Sequence, residues 1–165
     1  MKENQKTEKR IITAQQGRFL RLIEKRIRKF VRYNKLFKKG QKILVLDSLD
    51  LYFVKSITKE IPLKVYTARK GRRFDFVIKQ WTADDEINLF LKSLFHAKKP
   101  EKQNFIKLLS VITDEEAEEF AKLKEIKFKP NKKEGFVQQF VNAVNERYPD
   151  TKYKLIKSIE TLKDL

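Results

Sequence analysis

The sequence predicts a single α/β domain, a mostly parallel sheet with helices on both faces, and three observations carry that reading. Apolar runs with β-type residues at 42–46, 63–67, 74–81 and 105–112 alternate with segments of helical periodicity, the pattern of strands joined by crossover helices. Helix starts are marked chemically. Thr82 precedes an acidic first turn, and Thr113-Asp114-Glu115-Glu116 has the form of a capping box. The chain of 165 residues, 41% apolar and 12% aromatic, can furnish one core, and no internal repeat or Ser- or Gly-rich linker divides it.

Charge sets the class of partner. Thirty-nine Lys and Arg against 22 Asp and Glu leave +17, which favours a polyanion and steers it inward from a distance. Lysine and glutamate enrichment also suits thermophile proteins, but that enrichment raises both signs together. With no cysteine, the chain forms no disulfide, thiolate metal site or sulfur relay. The one histidine, His96, reads as a loop residue after a helix. No apolar run approaches the roughly 20 residues of a membrane span. The N-terminal residues lack the apolar core of a secretory signal, so a cytoplasmic location is expected.

Taken in order, residues 1–12 read as a mobile polar tail, and the domain occupies 13–165. Thr13-Ala14-Gln15-Gln16 has the capping-box form and opens a basic helix at 13–34. Phe19, Leu20, Ile23, Ile27, Phe30 and Val31 line one face of it. The opposite face carries Arg26, Lys29 and Arg32, and the basic run continues to Lys38 and Lys39. Solvated faces normally mix signs, so this face reads as a phosphate-backbone contact or, failing that, as a solvated surface. The sheet core is expected at 41–128. Within it, Arg69, Lys70, Arg72 and Arg73 surround Gly71 in a turn that is either solvated or a second phosphate contact. Trp81 ends the third strand, as a rim aromatic or a platform for an RNA base. Asp84 and Asp85 follow, and they suit either dipole capping or magnesium. The segment 125–128 reads as a brief strand, and two C-terminal helices fill 134–163, split at Pro149-Asp150.

The first strand-turn-helix unit in an open α/β sheet is the usual place for a phosphate, held by helix amides that glycines let it approach. Here Val45-Leu46 runs into Asp47-Ser48 with no glycine at all. Four segments nevertheless follow a familiar order. Glu24-Lys25-Arg26-Ile27-Arg28-Lys29 leads to Leu36-Phe37-Lys38-Lys39-Gly40-Gln41-Lys42-Ile43-Leu44-Val45. Asp84-Asp85-Glu86 precedes Phe90-Leu91. Lys107-Leu108-Leu109-Ser110-Val111-Ile112-Thr113-Asp114-Glu115-Glu116 precedes Phe120-Ala121 and Ile126-Lys127-Phe128. Glu146-Arg147-Tyr148-Pro149-Asp150-Thr151-Lys152-Tyr153 precedes Lys157-Ser158-Ile159-Glu160. In this order the chain resembles a shortened member of the PP-loop ATP-pyrophosphatase superfamily, closest to its tRNA-thiolation branch of 2-thiouridine and 2-thiocytidine synthetases.

That resemblance implies a small Rossmann-like fold of the adenine nucleotide alpha hydrolase type. It also implies where the chain departs. Active members carry Ser-Gly-Gly-Lys-Asp-Ser after the first strand, of which only Asp47-Ser48 remains; the Gly-His-Asn before the acid pair appears as Gln80-Trp81-Thr82. The cysteines and zinc ribbons of the thiolation enzymes are absent. The expectation is therefore a noncatalytic RNA-binding protein, a tRNA-binding subunit or accessory factor that partners tRNA and a catalytic PP-loop enzyme, with no membrane role. Its RNA contacts would be Arg26, Lys29, Arg32, Lys38, Lys39, Arg69, Lys70, Arg72, Arg73 and Trp81. Asp47, Ser48, Asp84 and Asp85 would be a vestigial nucleotide site, with no catalytic residue, metal or cofactor. The alternatives are an ATP- and magnesium-dependent RNA-adenylating enzyme using an external sulfur donor, and a structural adaptor for a PP-loop enzyme.

Overall fold

The computed structural model describes residues 2–99 and 103–163, with side chains from Thr13 to Leu162 within those limits. Helix α1 (Lys2–Tyr33) leads into β1 (Lys42–Val45), α2 (Ser48–Thr58), β2 (Lys64–Tyr66) and β3 (Phe76–Ile78). Four helices follow, α3 (Ala83–Phe95), α4 (Asp114–Leu123), α5 (Gly135–Arg147) and α6 (Thr151–Lys163). The three strands form a parallel sheet in the order β2-β1-β3. Central strand β1 sets Ile43 beside Val65 and Phe76, and Leu44 beside Tyr66 and Val77. Ile43, Leu44 and Val45 are fully enclosed, as a strand covered on both faces requires.

Two apolar clusters hold the helices. The larger joins Ile23, Ile27 and Val31 of α1 to β1, to Leu49, Phe53 and Ile57 of α2, and to Ala117 and Phe120 of α4. Phe120 meets Phe53 at 4.9 Å between ring centroids. The smaller cluster packs Ile87 and Leu91 of α3 against Val137 and Val141 of α5 and Ile159 of α6.

Three elements differ from expectation. The first helix reaches back to Lys2, through the segment read as a tail, so Thr13 lies inside it rather than capping it. No glycine or proline precedes Gly17, and lysine, glutamate and glutamine are good helix formers. The strand expected at 105–112 contracts to one parallel bridge between Ile106 and Ile78. Beyond it the chain turns, with the Ser110 amide and hydroxyl both donating to Lys107 O and the Ile112 amide to Leu109 O. Leu108, Leu109 and Ile112 are wholly buried, so the apolar run plugs the core as a turn. The brief strand expected at 125–128 is irregular backbone. Its apolar residues Ile126 and Phe128 pack on the main cluster without a neighbouring strand to bond. Of the loop after α3, Pro100, Glu101 and Lys102 lie outside the described residues.

Candidate functional site

At the carboxyl ends of β1 and β3, the place where open α/β sheets bind ligands, lies an open cleft of about 500 Å³ lined by Asp47, Ser48, Gln80, Lys127, Lys129 and Asn131 among others. Asp47 stands at the start of α2, but its side chain makes no cap bond there. Instead Asp47 Oδ2 accepts from the Gln80 amide at 2.9 Å. Gln80 Nε2 donates to Lys129 O at 2.6 Å, which ties the cleft's two walls together.

Asp84 and Asp85 sit behind this cleft in a buried charge cluster. Thr82 caps α3, accepting from the Asp85 amide while Asp85 Oδ2 takes the Thr82 amide at 2.8 Å. Thr113 caps α4 in the same way with Glu116. The two helix starts then lock together. Thr82 Oγ1 donates to Asp114 Oδ1 at 2.6 Å, and the Asp114 amide donates to Asp84 Oδ2 at 2.7 Å. Lys133 bridges Asp85 at 3.0 Å and Asp114 at 2.5 Å, and Lys152 bridges Asp84 at 2.8 Å and Glu115 at 2.7 Å. Asn131 Nδ2 donates to Asp85 Oδ2 at 3.0 Å and to Gln80 O at 3.1 Å, linking cluster to cleft.

The electrostatics follow from crowding. Burial works to lower the Lys133 pKa, but its hydrogen bond to Asp114 and the charge of Asp85 outweigh that and raise it. Lys152 is raised against burial by Asp84 and Glu115 in the same manner. Asp114 also moves up, first because it is buried and then because Asp84 lies nearby, despite the bonds from Lys133 and Thr82 that pull it down. The two directions are reconciled by number: Lys133 serves two acids, so the lysine stays charged and an acid bears the strain. Two acidic helix starts facing two buried lysines fasten α3, α4, α6 and the 131–133 segment.

Asp50 is a separate oddity. It lies in the first turn of α2, fully buried, and neither carboxyl oxygen finds a hydrogen-bond partner among the described residues. Burial, with a contribution from Asp47, pushes its pKa up to about 8.

Exposed cations lie on the loop before β1 and on the connection from β2 to β3. Gly40, with φ of +83°, takes the left-handed turn before β1 and donates its amide to Pro62 O. The connection from β2 to β3 crosses β1 without a helix and ends with Asp75 clasping Lys42. The Asp75 amide donates to Lys42 O at 2.9 Å and the Lys42 amide to Asp75 Oδ2 at 2.7 Å. That clasp sets the end of the connection beside the first residue of β1, which Lys38 and Lys39 precede in the chain. Lys38, Lys39, Arg69, Lys70 and Arg73 are exposed and have no ion-pair partner among the described residues. Arg72 lies over the Tyr66 ring at 5.0 Å to its centroid.

Of the other expected RNA contacts, Arg26, Arg32 and Trp81 are already engaged and Lys29 is not. Arg26 is paired with Glu116 at 2.6 Å and stacked on Tyr153, so it joins α1 to α4 and α6. Arg32 is exposed but bonded to Glu60 at 2.7 Å. Lys29 is exposed and lines a groove along α1 with Arg21, Lys25, Arg28 and Tyr33. Trp81 donates its indole N–H to Glu86 at 2.7 Å, meets Phe105 edge-on and is covered by Lys107 at 4.9 Å. The nucleotide set is divided too: Asp47 and Ser48 face the cleft, whereas Asp84 and Asp85 are consumed by lysines.

Sequence reasoning missed Lys133, Lys152, Asn131 and Asp50. The first two sit in lysine-rich stretches that read as solvated, and nothing local distinguishes a buried lysine from its neighbours. Asp50 had a signal: it stands at i+1 from Leu49 and at i−3 from Phe53 in the otherwise apolar run 49–54.

No protein-family profile and no curated protein matches the sequence. Among solved structures, the chain is similar to the U34-tRNA thiolase NcsA from Methanococcus maripaludis with its 4Fe-4S cluster. The TM-score is 0.67 at 13% identity, over 88% of this chain and 80% of that one. This likeness is one of fold, and it matches the Rossmann-like α/β architecture expected from the sequence. The cluster has no donor set here, since the sequence lacks cysteine and the described residues hold no group of three His, Cys, Asp or Glu able to take a metal.

Proposed function

We propose that the chain is a noncatalytic, PP-loop-like RNA-binding protein that holds tRNA by its phosphates, as a subunit or accessory factor of tRNA thiolation in the cytoplasm. The observation that carries this reading is the set of exposed cations without an ion-pair partner among the described residues on the loop before β1 and on the β2–β3 connection, Lys38, Lys39, Arg69, Lys70 and Arg73. Phosphate contacts of this kind fix position and carry no sequence information directly, so affinity is electrostatic. The fold shared with a tRNA thiolase supports tRNA as the polyanion, and Lys29, exposed on α1, is a further candidate contact. No helix among the described residues is long and apolar enough to cross a membrane. The test is filter binding of tRNA across a salt series. Affinity is expected to fall by orders of magnitude between about 50 mM and about 200 mM salt; binding that ignores salt overturns the reading.

One observation favours a second reading, an ATP-dependent RNA-adenylating enzyme: the cleft beside Asp47 and Ser48, with Lys127 and Lys129 on its wall. Against it stand the glycine-free turn and the ion pairs that occupy Asp84 and Asp85. Calorimetry with ATP and magnesium separates the two, and no heat of binding is the expected result.

A further inference from the structure

Tyr33 closes α1 as the most exposed large apolar or aromatic side chain among the described residues, at 84%. Its side chain makes no hydrogen bond there and meets no other ring. Lone exposed aromatics are ordinary on a surface, but this one stands where two grooves meet. Along α1 runs the cationic groove of about 650 Å³, and between α1 and α6 lies a second of about 610 Å³. Among the described residues, Lys29 and Tyr33 alone line both. The first groove holds five cations and one acid, Glu24, which is turned to the Tyr52 hydroxyl at 2.9 Å and to Lys124 at 3.7 Å. Arg28 and Arg32 share Glu60, so Arg21, Lys25 and Lys29 are left without an ion-pair partner among the described residues. The second groove is mixed in chemistry. Phe30 and Val111 give it apolar surface, Asn34 and Glu160 hydrogen-bonding groups, and Lys157 a cation. Asn34 Nδ2 donates to Phe30 O at 2.9 Å, which leaves Oδ1 as an acceptor.

We infer that this junction takes an unpaired stretch of RNA, with one base stacked on the Tyr33 ring and set into the α1–α6 groove, and the adjoining phosphates on Lys29, Lys25 and Arg21. The inference rests on the RNA-binding reading above and adds to it a second site and the kind of RNA that site accepts. Charge and shape select the occupant together. Three unpartnered cations, beside an acid already engaged, call for a polyanion. In a duplex each base face is covered by its neighbours, whereas an unpaired strand offers its faces to an aromatic side chain. An acidic protein would use the cations but has no need of a bare ring beside them. The spacing agrees as well. Lys25, Lys29 and Tyr33 follow at four-residue steps, about 6 Å apart along the helix, which is close to the separation of successive phosphates in an extended strand. In the second groove, Asn34 Oδ1 and Glu160 can accept from the amino or imino groups of a base edge.

The test is binding of the full chain to a single-stranded RNA of about 12 nucleotides, and to a duplex of the same length, across a salt series. Tyr33→Ala should weaken single-strand binding by about tenfold. The lost contact is uncharged, so the slope of log affinity against log salt should stay as it was, and duplex binding should not change. Tyr33→Phe keeps the ring and should keep the affinity. Lys29→Gln should instead lower the slope by about one. Tyr148→Ala, at an exposed tyrosine outside both grooves, should leave binding unchanged. Equal single-strand affinity for Tyr33→Ala and the natural chain, or an equal loss on the duplex, overturns the inference. In that event tRNA binding that still falls steeply with salt leaves the wider reading standing. Single-strand binding that needs Tyr33, with no binding of tRNA, supports this site and overturns the tRNA reading alone. Absence of any RNA binding by the natural chain overturns both.

Discussion

The buried cluster behind the cleft and the exposed loops that lead into β1 and join β2 to β3 treat charge in opposite ways. Behind the cleft, Asp84, Asp85, Asp114 and Glu115 are matched to Lys133 and Lys152, with lysine side chains only 6% and 5% exposed. On those loops, Lys38, Lys39, Arg69, Lys70 and Arg73 are exposed and form no ion pair among the described residues. The difference teaches that the net charge of this chain is not spread evenly in its effect. The acids behind the cleft are occupied in holding helices together, whereas the loop cations have no such duty.

The largest effect should come from breaking the buried cluster. Lys133→Met leaves Asp85 and Asp114 buried without their cation, which should cost about 3–5 kcal/mol of stability in urea unfolding. A loss below about 0.5 kcal/mol, the level of an ordinary surface change, would mean that the acids do not depend on that lysine. Asp50 sharpens the same side. Its pKa of about 8 lies above the ordinary 3.8 because it is buried. Between those values the folded chain keeps a proton that the unfolded chain has released, so stability falls as pH rises through that window, at up to about 1.4 kcal/mol per pH unit. Asp50→Asn should flatten that decline and leave the variant the more stable protein at high pH. An unchanged pH profile would contradict the burial assigned to this group. Smallest is Trp81→Phe. It removes the indole bond to Glu86 at a cost of about 1 kcal/mol and should leave tRNA affinity as it was, since Lys107 already covers the ring. A marked loss of affinity would restore Trp81 as a stacking platform.

Much of the architecture was legible because its signals are local. Thr82 and Thr113 announced their helices through capping chemistry, and 42–46 announced a covered strand through unbroken apolar residues. The run 105–112 misled for a physical reason: continuous apolarity reports burial, and a buried turn satisfies it as well as a strand does. The candidate site was legible only in part. An exposed loop such as 69–73 reads correctly in isolation, since its charges meet nothing distant. Arg26 carries the same signal, but its partner Glu116 lies 90 residues away. Lys133 and Lys152 are likewise defined by acids far along the chain, and no window of sequence contains both members of those pairs.

The central claim is that the exposed cations of the loop before β1 and of the β2–β3 connection hold tRNA by its phosphates. It is tested most directly by the salt dependence of tRNA binding for the natural chain beside a variant with Arg69, Lys70, Arg72 and Arg73 all changed to Gln. Each lost phosphate contact should lower the slope of log affinity against log salt by about one. The account predicts a variant that folds normally, binds more weakly and shows a slope reduced by roughly three to four on that scale. Equal slopes for the two proteins, or no tRNA binding by the natural chain even at low salt, would contradict it.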